Sequence, residues 1–487
     1  MKDLKKIVLF AVVLLFAVSC EDFSLDLEVQ NFEHPNDNIL TSDPVALTAA
    51  AGGILNNWYM TVHEYNGPCM MMQTMADVST CSWGNVGMND MSSEPRAAWN
   101  NSPSYSYDYV TNDYFNSLYA VLSDANTLVA AAEKGTEFEN PDLVKMIGKT
   151  GQAFAIGYLA LVFDRVWLSD ENGAINEDGS SSDYKEAMTF ALEKLDDAIA
   201  IAKSSGVDVP ETWLPGGNNG NAVFTQFLNS MGARMLVGNV RNKAQKGNIN
   251  WDKVLSYTNN GLTEDFTIFM DDDVWYDLAP KTYLVYPGWG RVDMRVVNMM
   301  DPNTPAYWPD GEVTLPESTS DDARLLSDYQ YLSSQNFNPT RGTYHYSTYR
   351  YSRYDYYISD WITDVTEYSA SENDMYKAEA LLQKGSLTEA AQVINDGTRT
   401  VRGQLPPVDA NADDIANAIH YERLVEFAYT GMSLSFFEMR KEDLLQKGTP
   451  LHFPVPGKAL EAIPEENYTY GGSQGVAGED YSNGGWR

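Results

Sequence analysis

The chain has 487 residues, with 68 acidic against 33 basic side chains and a net charge of −35. That charge repels phosphate backbones, which removes nucleic-acid binding from the candidate functions. Length alone suggests two or three domains, yet no Pro- or Ser-rich linker divides the chain.

Lys2, Lys5 and Lys6 precede Ile7 to Val18, a charge-free apolar run of twelve residues. A membrane-spanning helix takes about 20 residues, so this run suits a signal-peptide core instead. No later run is long enough to cross a membrane. Ser19-Cys20 resembles the bacterial lipobox, with Ala17 where Leu is usual. The resemblance implies a leader over 1–19, cleavage before Cys20, acylation of Cys20 and a tether over 20–42. Acyl chains anchor at roughly 0.8 kcal/mol per buried methylene. Glu21 and Asp22 follow at once and resemble a surface-export signal, so the expected location is the outer membrane, facing outward.

Asp43-Pro44 opens the first helix, with Asp43 as N-cap and Pro44 in the first turn. Leu47, Ala50, Ala51, Ile54, Leu55 and Trp58 then form its apolar stripe. Further stripes run through Tyr114–Val129, Leu143–Leu161 and Tyr184–Ile199, and a fifth helix is expected from Phe224 to about Gln245. From Thr263 to Trp361 the helical period fades while Pro, Gly, Tyr and Trp become dense, which predicts short strands and functional loops. Helices return over Asp374–Lys384, Leu387–Val401 and Asp413–Leu445. The pair joined at Gly385-Ser386, with small Ala378, Ala390 and Ala391 at its crossing, resembles a tetratricopeptide unit. The expected fold is therefore mainly α. A single globular unit over 43–487 would have a helical-hairpin scaffold over 43–262 and 374–445, a large aromatic-rich loop and short-strand insertion over 263–373, and a loop-like segment over 446–487.

Signals for catalysis or metal binding are weak. The histidines His34, His63, His345, His420 and His452 form no HExxH, and there is no GxxxxGK[ST] phosphate loop. Gly471-Gly472-Ser473-Gln474-Gly475 spells GxSxG, but in a Gly-rich tail rather than between a strand and a helix. Cys69 and Cys81 lack metal-site spacing; a disulfide and two unpaired buried thiols both remain open. Asp271-Asp272-Asp273 has no calcium-loop pattern and reads as a solvated acidic run. Glu422 and Glu426 at i, i+4, with Arg423 and Arg440, read as helix-locking charges. No cofactor and no metal is expected.

The 30 Tyr, 18 Phe and 11 Trp cluster outside the helical stripes. Flat rings stack on sugar faces, and amides, carboxylates or Arg serve the hydroxyls. One cluster is Trp83, Asn85, Asn89, Arg96, Trp99 and Asn100. A second is Trp275, Tyr276, Tyr283, Tyr286, Trp289, Arg291 and Trp308. A third runs from Tyr344 through Tyr346, Tyr349, Tyr351, Tyr354, Tyr356 and Tyr357 to Trp361. Its alternation predicts strand faces at Tyr344/Tyr346, Tyr349/Tyr351 and Tyr354/Tyr356; with Arg350 and Arg353 it reads as structural or interface tyrosines.

The layout resembles the SusD/RagB family of surface nutrient-binding lipoproteins. The leader ends in Cys20. Gln152-Ala153-Phe154 through Tyr158, Leu161 and Phe163 is similar to the family's long helix before its "YGDVP" turn, although Phe163-Asp164-Arg165-Val166-Trp167 lacks the Gly and Pro. Tyr376-Lys377-Ala378-Glu379-Ala380 through Ile394-Asn395 is similar to its "AEAL…A…IN" hairpin. Glu422-Arg423-Leu424-Val425-Glu426-Phe427, Gly431 and Phe436-Phe437-Glu438-Met439-Arg440 are similar to "ERR-EL-EG-R-FDL-R". Phe453-Pro454-Val455-Pro456 matches the closing "PIP" segment, while Tyr468-Thr469-Tyr470-Gly471-Gly472 replaces "QNPGY". The resemblance implies a non-enzymatic glycan binder that delivers ligand to a TonB-dependent outer-membrane transporter, with a sugar-stacking Trp near Trp83 or Trp99. The expected ligand-binding residues are Trp83, Asn85, Arg96, Trp99, Trp275, Tyr286, Trp289, Arg291 and Trp308. Three rivals stand beside it: a peptide-binding uptake lipoprotein of the same family, a glycoside hydrolase with two carboxylates about 5–10 Å apart, and a helical-repeat adaptor.

Overall fold

In the computed structural model the described residues are 43–81, 84–333 and 346–486. The leader, Cys20, the tether, Trp83, Tyr344 and the side chain of Cys81 lie outside them. Eleven helices of eight or more residues occur among the described residues. They are α1 Pro44–His63, α2 Pro68–Met75, α3 Tyr109–Glu133, α4 Pro141–Val162, α5 Tyr184–Ser205, α6 Asn221–Gly238, α7 Trp251–Asn259, α8 Ala370–Gln383, α9 Leu387–Asp396, α10 Ala412–Val425 and α11 Leu434–Lys441.

Helix α4 is the axis of the scaffold. Asn140 caps it by accepting from the Leu143 N–H, and Pro141 fills the first turn. Every residue from Leu143 to Val162 except Lys145 is buried, as expected of a helix that is surrounded by packing partners. Its small residues Gly148, Gly151, Ala153, Ala155, Gly157 and Ala160 admit α1, α3, α5 and α6 against it. The neighbours present the stripes expected of them. Leu47, Ala51, Ile54, Leu55 and Trp58 of α1 are buried, and so are Leu118, Leu122 and Leu128 of α3. Only Ala50 faces outward.

Three long helical readings are cut short, each by tertiary contacts that the local period does not contain. The helix expected from Phe224 to Gln245 ends at Gly238, where the Arg440 guanidinium takes the carbonyls of Gly238 and Val240 at 2.7 and 3.2 Å. The same guanidinium takes those of Leu161 and Leu451 at 3.0 and 2.7 Å, so one cation serves the C-terminal ends of α4 and α6. The segment expected as one helix over Asp413–Leu445 breaks between α10 and α11. There Ser433 has φ of 54°, and Gly431 lies so close to the Arg234 guanidinium that a side-chain carbon would fall 3.0 Å from it. Leu387–Val401 divides at Gly397 into α9 and a single turn.

The α8–α9 hairpin closes over Ala378, Ala390 and Ala391 and, with α10, builds a second small core around Met375, Ile394, Ile415 and Ile419. The insertion contains short antiparallel ribbons, as expected. Counting strands of three or more residues among the described residues, the early chain has β1 Ser79–Cys81 and the insertion has β2 Phe266–Met270, β3 Gly290–Val292, β4 Tyr329–Tyr331, β5 Tyr349–Tyr351 and β6 Thr363–Tyr368. They pair as β1–β3, β2–β6 and β4–β5. The third tyrosine cluster is mostly structural: Tyr346, Tyr349, Tyr351, Tyr354 and Tyr357 are buried. Tyr349 and Tyr351 lie on β5, but Tyr354 and Tyr356 share no strand face, because Asp355–Ser359 forms a short helix.

A buried chain of alternating charges ties the insertion to the scaffold. Glu372 of α8 meets Arg234 of α6 at 2.8 Å, and Arg234 meets Glu367 of β6 at 2.6 Å. Glu367 meets His63 of α1 at 2.9 Å, and His63 meets Asp277 at 2.7 Å; Lys281 closes the row on Asp277 at 3.0 Å. Both ring nitrogens of His63 face carboxylates, and a neutral imidazole has one N–H for two acceptors. The ring is therefore the cation: burial opposes the charge, but Asp277 and Glu367 raise its pKa above the ordinary imidazole value. Similar clusters fix the C-terminal helices. Arg324 joins Glu422 and Glu426 at 2.6 and 3.0 Å, and Arg423 joins Glu379 and Glu438 at 2.6 and 2.8 Å. These glutamates lock helices.

The segment 446–486 braces the early chain. Phe453 bridges to Phe163, the Trp99 N–H donates to the Tyr470 carbonyl, and Trp486 Nε1 donates to Asp77. His452 sits here, buried, with Asp480 at 3.2 Å, and burial lowers its pKa to about 4. The unfolded chain takes up that proton near 6.5, whereas the folded site resists it. Stability from this group is thus complete above pH 6.5 and falls as the pH drops from 6.5 to 4, by up to about 3 kcal/mol. Urea midpoints at pH 7 and 4.5 check this: His452→Gln flattens the acid limb, and equal pH slopes in variant and parent would assign that limb elsewhere. Cys69 is a free buried thiol whose pKa burial pushes up to about 12.

Candidate ligand-binding site

Aromatic side chains from three separate segments meet on one surface. The turn after α1 supplies Tyr65. The turn before α3 supplies Tyr105 and Tyr107, with Tyr105 N–H donating to Ser102 and Asp108 N–H to Tyr105, and α3 opens on Tyr109. The insertion supplies Tyr283, Tyr286 and Trp289. Tyr283 stacks on Trp289 with centroids 4.4 Å apart, Tyr65 lies 4.8 Å from Tyr283, and Tyr286 lies 6.2 Å from Trp289. On the other side, Tyr105 and Tyr107 are 5.6 Å apart and Tyr107 and Tyr109 are 6.3 Å apart. Burial raises the Tyr109 pKa, with smaller contributions from the nearby Tyr107 and Tyr65 phenols. The result is a ridge of seven rings, six half-buried and Tyr286 41% exposed.

Backbone geometry sets the insertion's end of the ridge. The β1–β3 pairing places Cys81 opposite Gly290, which pins this loop to the early chain. Tyr286 N–H donates to Thr282, and the N–H groups of Trp289 and Gly290 both donate to Tyr286. Gly290 is obligatory, since a side-chain carbon would fall 1.8 Å from the Leu284 carbonyl.

A cleft of about 490 Å³ opens beside the ridge between α1 and α3, within the size range of small-molecule sites. Asn57, Thr61, Glu64, Asn66, Asp113 and Ser117 line it. They offer amide, hydroxyl and carboxylate groups, and Glu64 and Asn66 among them flank Tyr65 in the chain. Burial holds the Glu64 carboxyl above the usual range, against the opposing pull of the Asn66 N–H. A larger hollow of about 810 Å³ lies between residues 299–322 and α10, but Tyr421 is its only aromatic lining residue.

The expected site residues divide sharply. Tyr286 and Trp289 stand on the ridge. Trp99 is 1% exposed and packs edge-on beneath Tyr105 and Phe453 at 5.4 and 5.3 Å, so it supports the ridge from below. Trp275 is buried against Tyr59 at 5.5 Å. Trp308 is buried, and its indole N–H donates to the Glu312 carbonyl. Arg96 is buried in an ion pair with Asp77 at 2.6 Å. Arg291 is buried and donates to the carbonyls of Pro287 and Gly290 at 2.9 and 2.7 Å. Asn85 is half-buried at the turn into residues 88–91, and Trp83 lies outside the described residues. Tyr65, Tyr105, Tyr107 and Tyr109 were not expected. The Tyr-x-Tyr-x-Tyr spacing in a Ser- and Pro-rich turn just before a helix is the signal that points to the last three.

Among the described residues no group of three or more His, Cys, Asp or Glu is placed to hold a metal ion. The Asp271 carboxylate is occupied by the N–H groups of Asp273, Val274 and Trp275 at 2.8–3.0 Å. No described helix is long and apolar enough to cross a membrane.

Compared by sequence, the chain matches no protein-family model and no curated protein. Compared by structure, it is similar to a SusD superfamily protein from Bacteroides vulgatus, at a TM-score of 0.57 and 14% identity over 87% of this chain and 98% of that one. It is similar to a SusD-like carbohydrate-binding protein from Bacteroides fragilis, at a TM-score of 0.57 and 12% identity over 90% and 96%. It is also similar to surface glycan-binding protein A from Bacteroides uniformis, at a TM-score of 0.56 and 14% identity over 86% and 97%.

Proposed function

We propose, for a chain that has the SusD-like fold, that the aromatic ridge binds a glycan at the cell surface without catalysing its cleavage. The ridge carries this reading. Seven rings, in one run of four and one of three, beside a cleft of hydrogen-bonding groups match a ligand with apolar C–H faces and many hydroxyls. Tyr286 and Trp289 are the residues assigned to stacking, with Tyr283 and Tyr65 alongside. Two of the structural neighbours are described as carbohydrate- or glycan-binding proteins, which supports the same reading. A lipid anchor at Cys20, an outward-facing position on the outer membrane and delivery to a TonB-dependent transporter complete the proposal. They rest on the leader and on the family resemblance.

Affinity electrophoresis of the chain lacking Met1 to Cys20, through gels cast with plant, host and microbial polysaccharides, tests it. Retardation by at least one polymer, with no shortening of that polymer, is the expected result. Free passage through every gel would overturn it, and release of shorter products would move the assignment to a glycoside hydrolase.

A further inference from the structure

The ridge and cleft differ from a generic sugar site in their charge. The acidic groups along them are Glu64, Asp90, Asp108 and Asp113. Asp90 accepts the Tyr105 hydroxyl, while Asp113 stands exposed at the cleft. Lys458, beside the turn that carries Tyr107 and Tyr109, pairs with Asp108 at 2.5 Å. Arg291, at the foot of the insertion's loop, has its guanidinium turned to backbone carbonyls. Among the described residues that line the cleft there is no Lys, Arg or His.

We infer that this site takes an uncharged glycan, one whose sugars carry no carboxylate or sulfate. The inference rests on the glycan-binding reading and narrows it. Acidic sugars are recognised by guanidinium or ammonium groups, which supply charge-assisted and often bidentate hydrogen bonds. Among the described residues the cleft lining offers none, and instead presents carboxylates, which accept hydrogen bonds only. A sugar hydroxyl donates to Glu64, Asp113 or the Asn57 and Asn66 amide oxygens; a uronate or sulfate sets its charge against Glu64 and Asp113 and finds only neutral amide and hydroxyl donors. Each unit charge a few ångströms from a carboxylate in water weakens binding about five- to tenfold. The net charge of −35 adds repulsion at longer range.

The test uses matched polymer pairs in affinity gels: hydroxyethyl cellulose with carboxymethyl cellulose, dextran with dextran sulfate, and methyl-esterified with de-esterified homogalacturonan. At low salt, about 10 mM with a Debye length of roughly 30 Å, the neutral member of the productive pair retards the protein at least tenfold more than its charged partner. The difference shrinks toward 1 M salt, where screening acts within about 3 Å. Asp113→Lys raises charged-to-neutral retention about tenfold, and Glu64→Gln shifts it in the same direction. Equal or stronger retention by a charged member at low salt overturns this inference and leaves glycan binding standing. Passage through all six gels, with no retention in the wider panel, overturns both.

Discussion

Arg234→Met lowers the stability of the folded unit by about 3–5 kcal/mol, read as a fall in the denaturant midpoint at unchanged slope. Arg234 is fully buried and joins Glu367 and Glu372, and it stacks over Tyr368 at 4.3 Å. Without it two carboxylates stay out of water, with His63 as the single cation left to Glu367. A buried charge stripped of its partner costs more than the intact pair contributes. Combining Arg234→Met with Glu372→Gln therefore recovers part of the loss, which a double-mutant cycle reads directly. A loss below about 1 kcal/mol would mean that water reaches this row in solution.

Trp289→Ala weakens retention by the bound polysaccharide tenfold or more, since an aromatic anchor of a binding surface typically carries about 2 kcal/mol. Its stability cost is about 1 kcal/mol or less, because the ring is half-buried at the surface. Trp275→Ala behaves in the opposite way. That ring is packed in the core against Tyr59, so truncation costs about 3–5 kcal/mol, while the folded fraction keeps its affinity. Affinity gels and thermal melts on the two variants separate these roles, and a loss of binding in both would remove the distinction between plate and core.

The scaffold is readable in the sequence because α1, α3, α4 and α5 each hold an apolar period over many turns, and burial follows that period. Helix ends are less readable. α6 stops at Gly238 because of Arg440, some two hundred residues away, and the break after α10 follows from the packing of Gly431 on Arg234. The glutamates and arginines of 422–440 could be assigned to helix locking from their spacing, but their partners Arg324 and Glu379 could not be named. The site was half legible. Composition located the aromatic insertion, yet Trp275, Trp308 and Trp289 look alike along the chain, and only long-range packing decides which ring is covered. Tyr65 carries no local signal at all. It joins the ridge because β1 and β3 bring residues 79–81 and 290–292 together.

Gly290 and Gly288, two residues apart in the same loop, differ in what they tolerate. At 290 any side chain collides with the Leu284 carbonyl, whereas at 288 an added carbon meets nothing within 4 Å. The hinge of the loop is thus fixed and its tip is open. The Tyr286 side chain and a carbon added at 288 point away from the packed scaffold, while the backbone between them is held by the buried Arg291 through the Pro287 carbonyl. On the proposed glycan-binding reading, positions 286 and 288 are where side chains change at least cost to the scaffold, which makes them the natural place for a randomised library.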